Sequence, residues 1–324
     1  MKISIRTALA FAFASLVCSA AGAEIVTIDI PGAVGIVPAA MNDKGRVTGY
    51  YYNKAKGYHG FIWQLHGALA RFDVPNAELT VPVGISAKGV VTGRYNETPN
   101  IVSEGFVRTV DGTITPFKAP DGHETYVASA NRNGWCVGAT GGKDRFHLFL
   151  RSPTGETTEF TVPGSSGEQV DAVNRSRMVA GSVYNAGNGS AFVRSAPGKI
   201  TMFGDSSTSV TAMNDLGAIV GRTNVNGSYG GYVRTSDGII TTFAVNGALE
   251  TRPLAINNSG TIAGEFEASD QTWHGFIRTS DGTLTPFDVA GSVFTAIVAI
   301  NNNGVIAGSY KNAAGDNLGF FGTP

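Results

Sequence analysis

Residues 254–289 read LAINNSGTIAGEFEASDQTWHGFIRTSDGTLTPFDV, and this stretch decides the fold. It contains four short runs of strand character, at 254–256, 261–265, 275–279 and 283–289. Asn-Asn-Ser-Gly separates the first two runs, and Asp-Gly, which is typical of two-residue hairpins, separates the last two. Side chains alternate between two faces in the last run, which is the period of a strand. The pattern predicts a sheet of four antiparallel strands.

The same unit recurs seven times along the chain, and we number the copies as units 1 to 7. A glycine at the predicted end of the second strand returns every 40 to 45 residues, and an aromatic residue follows it in the third strand. The glycines are Gly49, Gly93, Gly138, Gly181, Gly221, Gly264 and Gly308. The aromatic residues are Phe61, Phe106, Phe149, Phe192, Tyr232, Phe276 and Phe320. Repeats of this length with four strands each are typical of β-propeller blades.

Small residues in the first strand of every unit favour a ring over a linear array, because first strands converge on the axis of a propeller. They are Ala40, Gly84, Ser129, Ala172, Ala212, Ala255 and Ala299. Arginines end the third strand in five units, and their regularity predicts a structural role, with pairing to carboxylates or carbonyls between units. They are Arg108, Arg151, Arg194, Arg234 and Arg278. In unit 4, Arg177 stands where the other units have the glycine of the first turn.

The last unit lacks a fourth strand, and residues 24–32 supply a matching segment. EIVTIDIPG at 24–32 aligns with TLTPFDVAG at 283–291. In this alignment Val26, Ile28 and Ile30 take the inward-facing positions. The sequence therefore predicts an all-β fold, a seven-bladed β-propeller with four antiparallel strands per blade, closed by the N-terminal strand completing the last blade.

The first 23 residues have the layout of a secretory signal peptide. Lys2 and Arg6 precede an apolar run at 8–17, and small residues lead to predicted cleavage after Ala23. The apolar run is too short to cross a bilayer. We therefore expect one propeller domain at 24–324, located in the periplasm or secreted. Cys136 would be its single cysteine, buried as a small hydrophobic residue and without a disulfide.

Composition excludes some partners. The chain has 24 basic and 25 acidic residues and a formal net charge of −1, which argues against nucleic acid. No stretch beyond the signal peptide predicts membrane insertion. We expect a monomer whose partner is a protein, a peptide or a glycan.

The connections between strands sort into two faces. The short, repeated Asn-x-x-Gly and Asp-Gly turns lie on one face, which we call the turn face. The loops between the second and third strands and between units lie on the opposite face, the loop face, and they vary from unit to unit. Variable loops on a rigid scaffold are the usual place for binding, so we expect any ligand site on the loop face.

Aromatic and polar residues of units 1, 2 and 6 are the candidate ligand contacts on the loop face. Tyrosine rings beside amide and carboxylate groups suit stacking and hydrogen bonding to a sugar or a peptide. Alternation along the second strand also allows some of the tyrosines to face the core. The candidates are Tyr50, Tyr52, Tyr58, Arg94, Tyr95, Asn96, Glu97, Trp273 and His274.

Acidic loops of units 3 and 4 are a candidate cation site. Oxygen-rich loops at a channel mouth can hold a hard cation such as Ca²⁺, although no calcium-loop spacing supports this and solvated carboxylates are the ordinary alternative. The candidates are Asp121, Glu124, Glu168 and Asp171. No cofactor other than this calcium is expected. Three histidines, His59, His147 and His274, begin equivalent third strands, which sets them too far apart for a shared zinc site.

The repeat resembles the bacterial extracellular repeat family named for a His-Ala-Phe tripeptide, the HAF repeat. The motif stands here as His59-Gly60-Phe61 and His274-Gly275-Phe276, and the repeat covers the chain after residue 23. The resemblance implies export and repetition, and it brings no catalytic residues with it. No nucleophile elbow, zinc-binding helix motif, phosphate loop or dinucleotide fingerprint is present in a credible context.

Two classes of function stay open. The absence of catalytic motifs favours a recognition scaffold that binds a glycan, peptide or protein through the loop face. The alternative is an exported propeller enzyme, a lyase or hydrolase with a site at the central channel that depends on a metal. A structural role in the envelope is a third possibility.

Overall fold

The computed structural model describes residues 24–54, 57–97, 102–120, 124–141, 146–184 and 190–324. These residues form 28 β-strands and no helix, so the prediction of an all-β fold is confirmed. No helix capable of crossing a membrane occurs within the described residues. The predicted signal peptide lies outside them.

The strands, numbered in chain order, follow the sequence repeat. The N-terminal strand is β1 (Ile25–Ile28). Unit 1 contains β2 (Gly35–Met41), β3 (Arg46–Tyr52), β4 (Tyr58–Gln64) and β5 (Ala70–Phe72). Unit 2 contains β6 (Ala77–Ile85), β7 (Val91–Glu97), β8 (Ser103–Arg108) and β9 (Ile114–Phe117). Unit 3 contains β10 (Glu124–Ala130), β11 (Cys136–Gly141), β12 (Phe146–Arg151) and β13 (Thr157–Phe160). Unit 4 contains β14 (Gly167–Val173), β15 (Val179–Tyr184), β16 (Ala191–Arg194) and β17 (Ile200–Phe203).

The remaining units have the same order. Unit 5 contains β18 (Ser209–Met213), β19 (Ile219–Val225), β20 (Ser228–Arg234) and β21 (Ile240–Phe243). Unit 6 contains β22 (Glu250–Ile256), β23 (Ile262–Glu267), β24 (Trp273–Arg278) and β25 (Leu284–Phe287). Unit 7 contains β26 (Ser292–Ile300), β27 (Ile306–Asn312) and β28 (Asn317–Gly322). Consecutive strands within a unit pair antiparallel.

The sequence predicted that the recurrent glycine ends the second strand. In the structure it lies in the middle of that strand. In unit 6, β23 continues past Gly264 to Glu267, and it pairs with a first strand that begins at Glu250. The first strand has a β-bulge opposite the glycine, between Pro253 and Ala255, and every unit has a bulge at this place. A Cβ at Gly264 would lie 2.0 Å from the carbonyl oxygen of Arg252. The glycine is therefore required for this close approach of two backbones.

The recurrent aromatic residue forms the centre of each unit's core. In unit 6 the Phe276 ring lies against Gly264, its partner in the adjacent strand. All seven of these aromatic side chains have no solvent-exposed surface. Unit 5 has a tyrosine here, Tyr232, and no described residue forms a hydrogen bond with its hydroxyl. Cys136 is buried as predicted, and burial raises the pKa of its thiol to about 12.

The recurrent arginines join neighbouring units by stacking. The guanidinium of Arg151 lies 4.2 Å from the ring centroid of Phe117 in the preceding unit. The other four make the same contact at 4.7 to 4.9 Å. The structural role predicted for them is confirmed, but the expected pairing with carboxylates or carbonyls between units is wrong. They stack on rings because the third strand ends beside the aromatic residue of the preceding fourth strand.

The N-terminal strand pairs with the last strand of the chain. Strand β1 runs antiparallel to β28, with Val26 opposite Phe321 and Ile28 opposite Gly319. This is the register that the sequence alignment predicts. The side chains of Ile28 and Ile30 are buried in a cluster that includes Phe61 of unit 1. Strand β1 therefore bonds to unit 7 and packs against unit 1.

A series of buried asparagines, which we call the asparagine belt, links the units at the turn face. The side-chain oxygen of each asparagine accepts hydrogen bonds from backbone N–H groups of its own turn. Its Nδ2 donates one hydrogen bond to the backbone carbonyl of the equivalent residue in the next unit. Asn301 donates to the carbonyl of Asn42, 3.3 Å away, so the series returns to its first member. In unit 2 a serine replaces the asparagine, and the backbone N–H of Ala87 donates to Arg132 instead. The belt residues are Asn42, Ser86, Asn131, Asn174, Asn214, Asn257 and Asn301.

The first strands enclose an inner channel of about 330 Å³. Six of the seven small residues predicted to face the axis line it: Ala40, Ser129, Ala172, Ala212, Ala255 and Ala299. At the turn face Arg132 of unit 3 forms ion pairs with Asp43 of unit 1 and with Asp215 of unit 5, the second at 3.3 Å. One guanidinium thus reaches two other units across this end of the channel.

Candidate functional site on the loop face

Two adjoining cavities occupy the loop face. The first, which we call the acidic cavity, has a volume of about 740 Å³ and is lined by residues of units 3, 4 and 5. The second, the arginine cavity, has a volume of about 670 Å³ and extends over units 4 to 6. Gln169, Tyr184, Val210 and Thr211 line both cavities. The two therefore form one continuous groove, the loop-face groove.

The predicted tyrosine cluster of unit 1 is assembled in the structure. The rings of Tyr50 and Tyr58 stack with centroids 4.8 Å apart, and the Tyr52 ring lies 6.1 Å from that of Tyr58. Between them in sequence, Tyr51 is buried. The alternation is that of a strand, since Tyr51 faces the core while its two neighbours face outward.

Arg94 connects this cluster with the acidic cavity. Its guanidinium lies 4.2 Å from the ring centroid of Tyr126, which lines that cavity, and it donates to the carbonyl of Val127. Burial raises the pKa of Tyr50, and the charges of Tyr58 and Arg94 act on it in opposite directions. Arg94 therefore lies within electrostatic reach of Tyr50. Arg94 thus lies between the tyrosine cluster of unit 1 and Tyr126 at the groove.

Of the other candidate ligand contacts in unit 2, one lies in the core and two lie at the loop face. Tyr95 is only 3% exposed, and its hydroxyl donates to Glu104 over 2.6 Å. The ring faces the core because Tyr95 stands two residues after Gly93, on the inward side of the strand. Asn96 and Glu97 end β7 at the loop face. Neither of these two lines the groove.

In unit 6, Trp273 lies beside a network of ion pairs. The guanidinium of Arg252 lies 4.1 Å from the Trp273 ring and pairs with Glu250 at 2.7 Å and Glu265 at 3.4 Å. Glu250 also pairs with Arg222 at 2.8 Å. Although burial acts to raise it, these hydrogen bonds hold the pKa of Glu250 below its ordinary value. The arginine cavity thus presents charges that already neutralise one another.

His274 is held by side chains of its own unit. Its Nδ1 lies 2.8 Å from Asp288 Oδ2, and its Nε2 lies 2.8 Å from Thr272 Oγ1. His59 of unit 1 has the equivalent contact with Asp73 at 3.1 Å. Both imidazoles therefore bridge the start of the third strand and the end of the fourth.

Asp171 is the distinctive residue of the groove. It occupies the bulge of β14 and lines both the inner channel and the acidic cavity. Gln169 Nε2 donates to its Oδ1 over 2.6 Å, and Ser182 Oγ donates to its Oδ2 over 3.2 Å. Burial raises the pKa of Asp171 to about 6, against the effect of these two hydrogen bonds. The bulge position in the other units holds uncharged residues, namely Ala39, Val83, Ala128, Thr211, Leu254 and Val298.

The remaining predicted calcium ligands have separate places. Glu168 accepts hydrogen bonds from the Val162 N–H and the Ser165 hydroxyl, and thereby secures the connection between units 3 and 4. In four other units a threonine at this position binds the same connection. Glu124 lines the acidic cavity, and Asp121 lies outside the described residues. Nowhere in the described part of the chain do three His, Cys, Asp or Glu side chains form a group that could hold a metal.

Several groove residues escaped the sequence analysis. Their position relative to the recurrent glycine could have identified them. The residue that directly follows this glycine faces the loop-face end of the channel. Arg222 follows Gly221 in this way, as the predicted Arg94 follows Gly93. In units 3 and 4 the first-strand residues opposite this position also line the groove. They are Tyr126 and Gln169, and each pairs with the residue that follows the recurrent glycine of its unit. The missed residues are Tyr126, Gln169, Tyr184, Arg222, Tyr229 and Arg252.

Comparison with solved structures shows the fold. Virginiamycin B lyase from Staphylococcus aureus has 13% sequence identity and a TM-score of 0.59, and the match covers 93% of this chain and 100% of that one. A streptogramin B lyase structure has 15% identity and a TM-score of 0.57 over 92% and 96% of the two chains. Puromycin hydrolase has 11% identity and a TM-score of 0.57 over 88% and 52%. These proteins are β-propellers, and the chain shares that fold.

At the level of sequence the chain stands apart. No protein-family model matches it. No curated protein matches it with significance either.

Proposed function

We propose that this protein is an exported, closed, seven-bladed β-propeller that recognises a glycan, a peptide or a protein through its loop face. Two contacts support a closed ring: the pairing of β1 with β28, and the hydrogen bond from Asn301 to Asn42 that returns the asparagine belt to its start. Burial of Ile28 and Ile30 in one cluster with Phe61 supports it further. In such a ring the loop-face groove lies beside the mouth of the channel.

One observation carries the binding role, which is the exposure of aromatic side chains along the walls of the groove. Tyr126 is 44% exposed and Tyr184 is 57% exposed, although Tyr126 lies within β10 and Tyr184 is the last residue of β15. Cavities that combine aromatic walls with a few polar groups are typical of ligand sites. The rigid sheets fix these rings before any ligand arrives, which reduces the entropy lost on binding.

The test is a binding screen with the chain from Glu24 to Pro324. It would be probed on an array of neutral and charged oligosaccharides and on an array of capped decapeptides, and hits would be measured by calorimetry. Tyr126→Ala and Tyr184→Ala should each weaken binding of a true ligand at least tenfold. The matched control is Leu216→Ala, which removes a side chain that is 66% exposed on the turn face. Equal affinities of all four proteins would exclude the loop-face groove as the site.

A second candidate function is an enzyme, and the environment of Asp171 favours it. A carboxyl group with a pKa of about 6 inside a cavity suits general acid or base catalysis. The similar structures include two lyases and a hydrolase by name. A panel of lyase and hydrolase substrates would test this, with Asp171→Asn expected to abolish any turnover found. If the enzyme depends on calcium, Ca²⁺ should raise the melting temperature of the protein and a chelator should reverse that rise.

The remaining proposals concern the processing, oligomeric state and family of the protein. We propose that the signal peptide is cleaved after Ala23, that the mature chain is a monomer, and that it belongs to the HAF repeat family. N-terminal sequencing of the exported protein should begin at Glu24. A mature N-terminus at any other residue would contradict the proposed cleavage site.

A further inference from the structure

We propose that the acidic cavity binds the cationic side chain of a lysine or arginine in a peptide, with Asp171 as its counter-ion. The proposal rests on the ligand-binding role proposed for the loop face, and it names the chemical class of that ligand. It derives from the chemistry of four residues that meet at the cavity floor and walls, namely Asp171, Gln169, Tyr126 and Tyr184.

The hydrogen-bond partners of Asp171 are uncharged. Gln169 and Ser182 each donate one hydrogen bond to it, whereas a carboxylate can accept about four. Other acids near the channel differ in this respect, since Glu250 pairs with two arginines and Asp215 with Arg132. A carboxylate that is largely removed from water is stabilised best by a hydrogen-bonded cation. A ligand ammonium or guanidinium would supply that cation.

The walls of the cavity suit the same ligand. Tyrosine rings attract cations to their faces and also pack against the methylene stem of a lysine or arginine. The Tyr126 ring already holds one guanidinium, that of Arg94, at 4.2 Å. The Tyr184 hydroxyl lies 3.4 Å from Gln169 Oε1, and the amide nitrogen of Gln169 binds Asp171. The two walls are therefore positioned by the residues that hold the counter-ion.

The core of unit 5 contains a buried hydroxyl on which the charge of this carboxylate acts. Tyr232 replaces the phenylalanine of the other units, and its hydroxyl has no hydrogen-bond partner among the residues that the structure describes. Burial raises the pKa of Tyr232, and the charge of Asp171 raises it further. Tyr232 packs in one cluster with Val210, whose N–H donates to the Ser182 hydroxyl that in turn binds Asp171. The charge of Asp171 therefore acts on the core of unit 5 as well as on the acidic cavity.

The depth of Asp171 favours a peptide side chain over an amino sugar. Strand β14 begins at Gly167 on the loop face, and Asp171 stands four residues further in. At roughly 3.3 Å per residue the Cα of Asp171 lies about 13 Å along the strand from that end. The stem of a lysine or arginine is shorter than this depth, so the peptide backbone must enter the acidic cavity, and the thin stem then carries the charge to the carboxylate. An amine attached directly to a sugar ring would have to bring the whole ring into the channel mouth.

The experiment uses the chain from Glu24 to Pro324 and four capped decapeptides of glycine and serine. Each has one central residue, which is lysine, arginine, norleucine or acetyl-lysine, and affinities are measured by fluorescence anisotropy. We expect the lysine and arginine peptides to bind at least tenfold more tightly than the two uncharged ones. Asp171→Asn, which preserves the shape of the side chain, should remove that preference. Leu216→Ala should leave it unchanged.

The outcomes separate this inference from the broader function. Equal binding of all four peptides, no binding of the basic ones at millimolar concentration, or an Asp171→Asn variant that keeps the preference would each overturn the cation site. If a neutral glycan or an amino sugar binds instead and Tyr184→Ala weakens it, the loop face is still a binding surface and only the peptide cation is wrong. Circular dichroism of the Asp171→Asn protein shows whether a loss reflects unfolding.

Discussion

The two ends of the channel are built from the same strands but use their polar groups in opposite ways. At the turn face each belt asparagine directs its amide nitrogen to a neighbouring unit and its carbonyl oxygen to its own turn, so both ends of the amide group hold the protein together. At the loop face the equivalent ends of the strands share no common residue type and vary along the chain. Repetition therefore marks the end that holds the units together, and variation marks the end that is open to a ligand.

The charged groups show the same contrast. On the turn face Arg132 is satisfied by two carboxylates from units 1 and 5. Near the loop face the donors to Asp171 within the described part of the chain are the neutral Gln169 and Ser182. A charge that is paired inside the protein stabilises the assembly, whereas a charge held by neutral donors is free to contribute to binding. Four sequence changes would test this difference between the two faces.

The largest effect is expected from removing strand β1, on which both faces depend. A chain that begins at Val34 loses the ladder between β1 and β28 and the burial of Ile28 and Ile30. Burial of each isoleucine contributes about 1.5 to 3 kcal/mol, and with the lost hydrogen bonds this rivals a typical total stability of about 5 to 15 kcal/mol. We expect an unfolded or aggregated protein by circular dichroism and gel filtration. The chain that begins at Glu24 is the control, and an equal melting temperature for both would contradict ring closure.

The asparagine belt should be the next most sensitive feature. Asn257→Ala removes hydrogen bonds to the Asn301 carbonyl and to the N–H groups of Ser259 and Thr261. At about 1 kcal/mol each, the free energy of unfolding should fall by about 3 kcal/mol in urea denaturation. Asn257→Ser should lose about half as much, because a serine hydroxyl can bind the turn as Ser86 does in unit 2. Losses below about 0.5 kcal/mol would mean that the belt does not hold the units together.

Asp171→Asn should stabilise the protein, and by an amount that depends on pH. The pKa of Asp171 is about 6 in the folded protein, above the ordinary 3.8. Between about pH 4 and pH 6 the folded chain therefore holds more protons than the unfolded chain, so the contribution of this group to stability falls as pH rises through that interval. The variant should exceed the wild type by on the order of 2 to 3 kcal/mol at pH 8.

The difference should shrink towards zero at pH 4. Other groups that lie near this carboxylate are Glu124, Glu168 and Tyr232, and they are common to both proteins. They therefore cancel when the two urea denaturation curves are compared at each pH. A constant difference across the range would show that the charge of Asp171 carries no cost in the unliganded protein.

The smallest effect concerns a single irregular turn on the turn face. Arg177 has a φ of 63°, in the region where the six other units have glycine and a side chain is strained. Its guanidinium lies 5.5 Å from the Trp135 ring, which offsets part of that strain. Arg177→Gly should raise the free energy of unfolding by about 0.5 to 1 kcal/mol. Gly260→Ala, at a φ of 80°, is the matched control and should lower it by about 1 kcal/mol.

Much of the local structure could be predicted from the repeat alone. A glycine at the position of Gly264 and an aromatic residue at that of Phe276 return in every unit, and they were correctly assigned to the second and third strands. The alignment of 24–32 with the end of unit 6 also predicted the register of β1 against β28. Strand ends were less accurate, since β22 begins at Glu250, four residues before the predicted start. The reason is the bulge, which lets pairing continue beyond the glycine.

The candidate site was only partly predictable. The tyrosines of unit 1 were recognised because they cluster in sequence. Tyr126 and Tyr184 stand 58 positions apart, so nothing in the sequence placed them at one cavity. Tyr95 was assigned to the surface and lies in the core, since its inward position depends on the strand register.

The repeat unit could be predicted from the sequence, because a hydrophobic period of two and the backbone demands of tight turns are local requirements that each copy must meet. Which side chains share a cavity, and which charges find partners, depends on the assembled fold. Arg132 pairs with carboxylates of units 1 and 5 that are distant in sequence, and the acidic cavity gathers side chains of three units. Asp171 finds its neutral donors within its own unit, and no local pattern distinguishes the two charged groups.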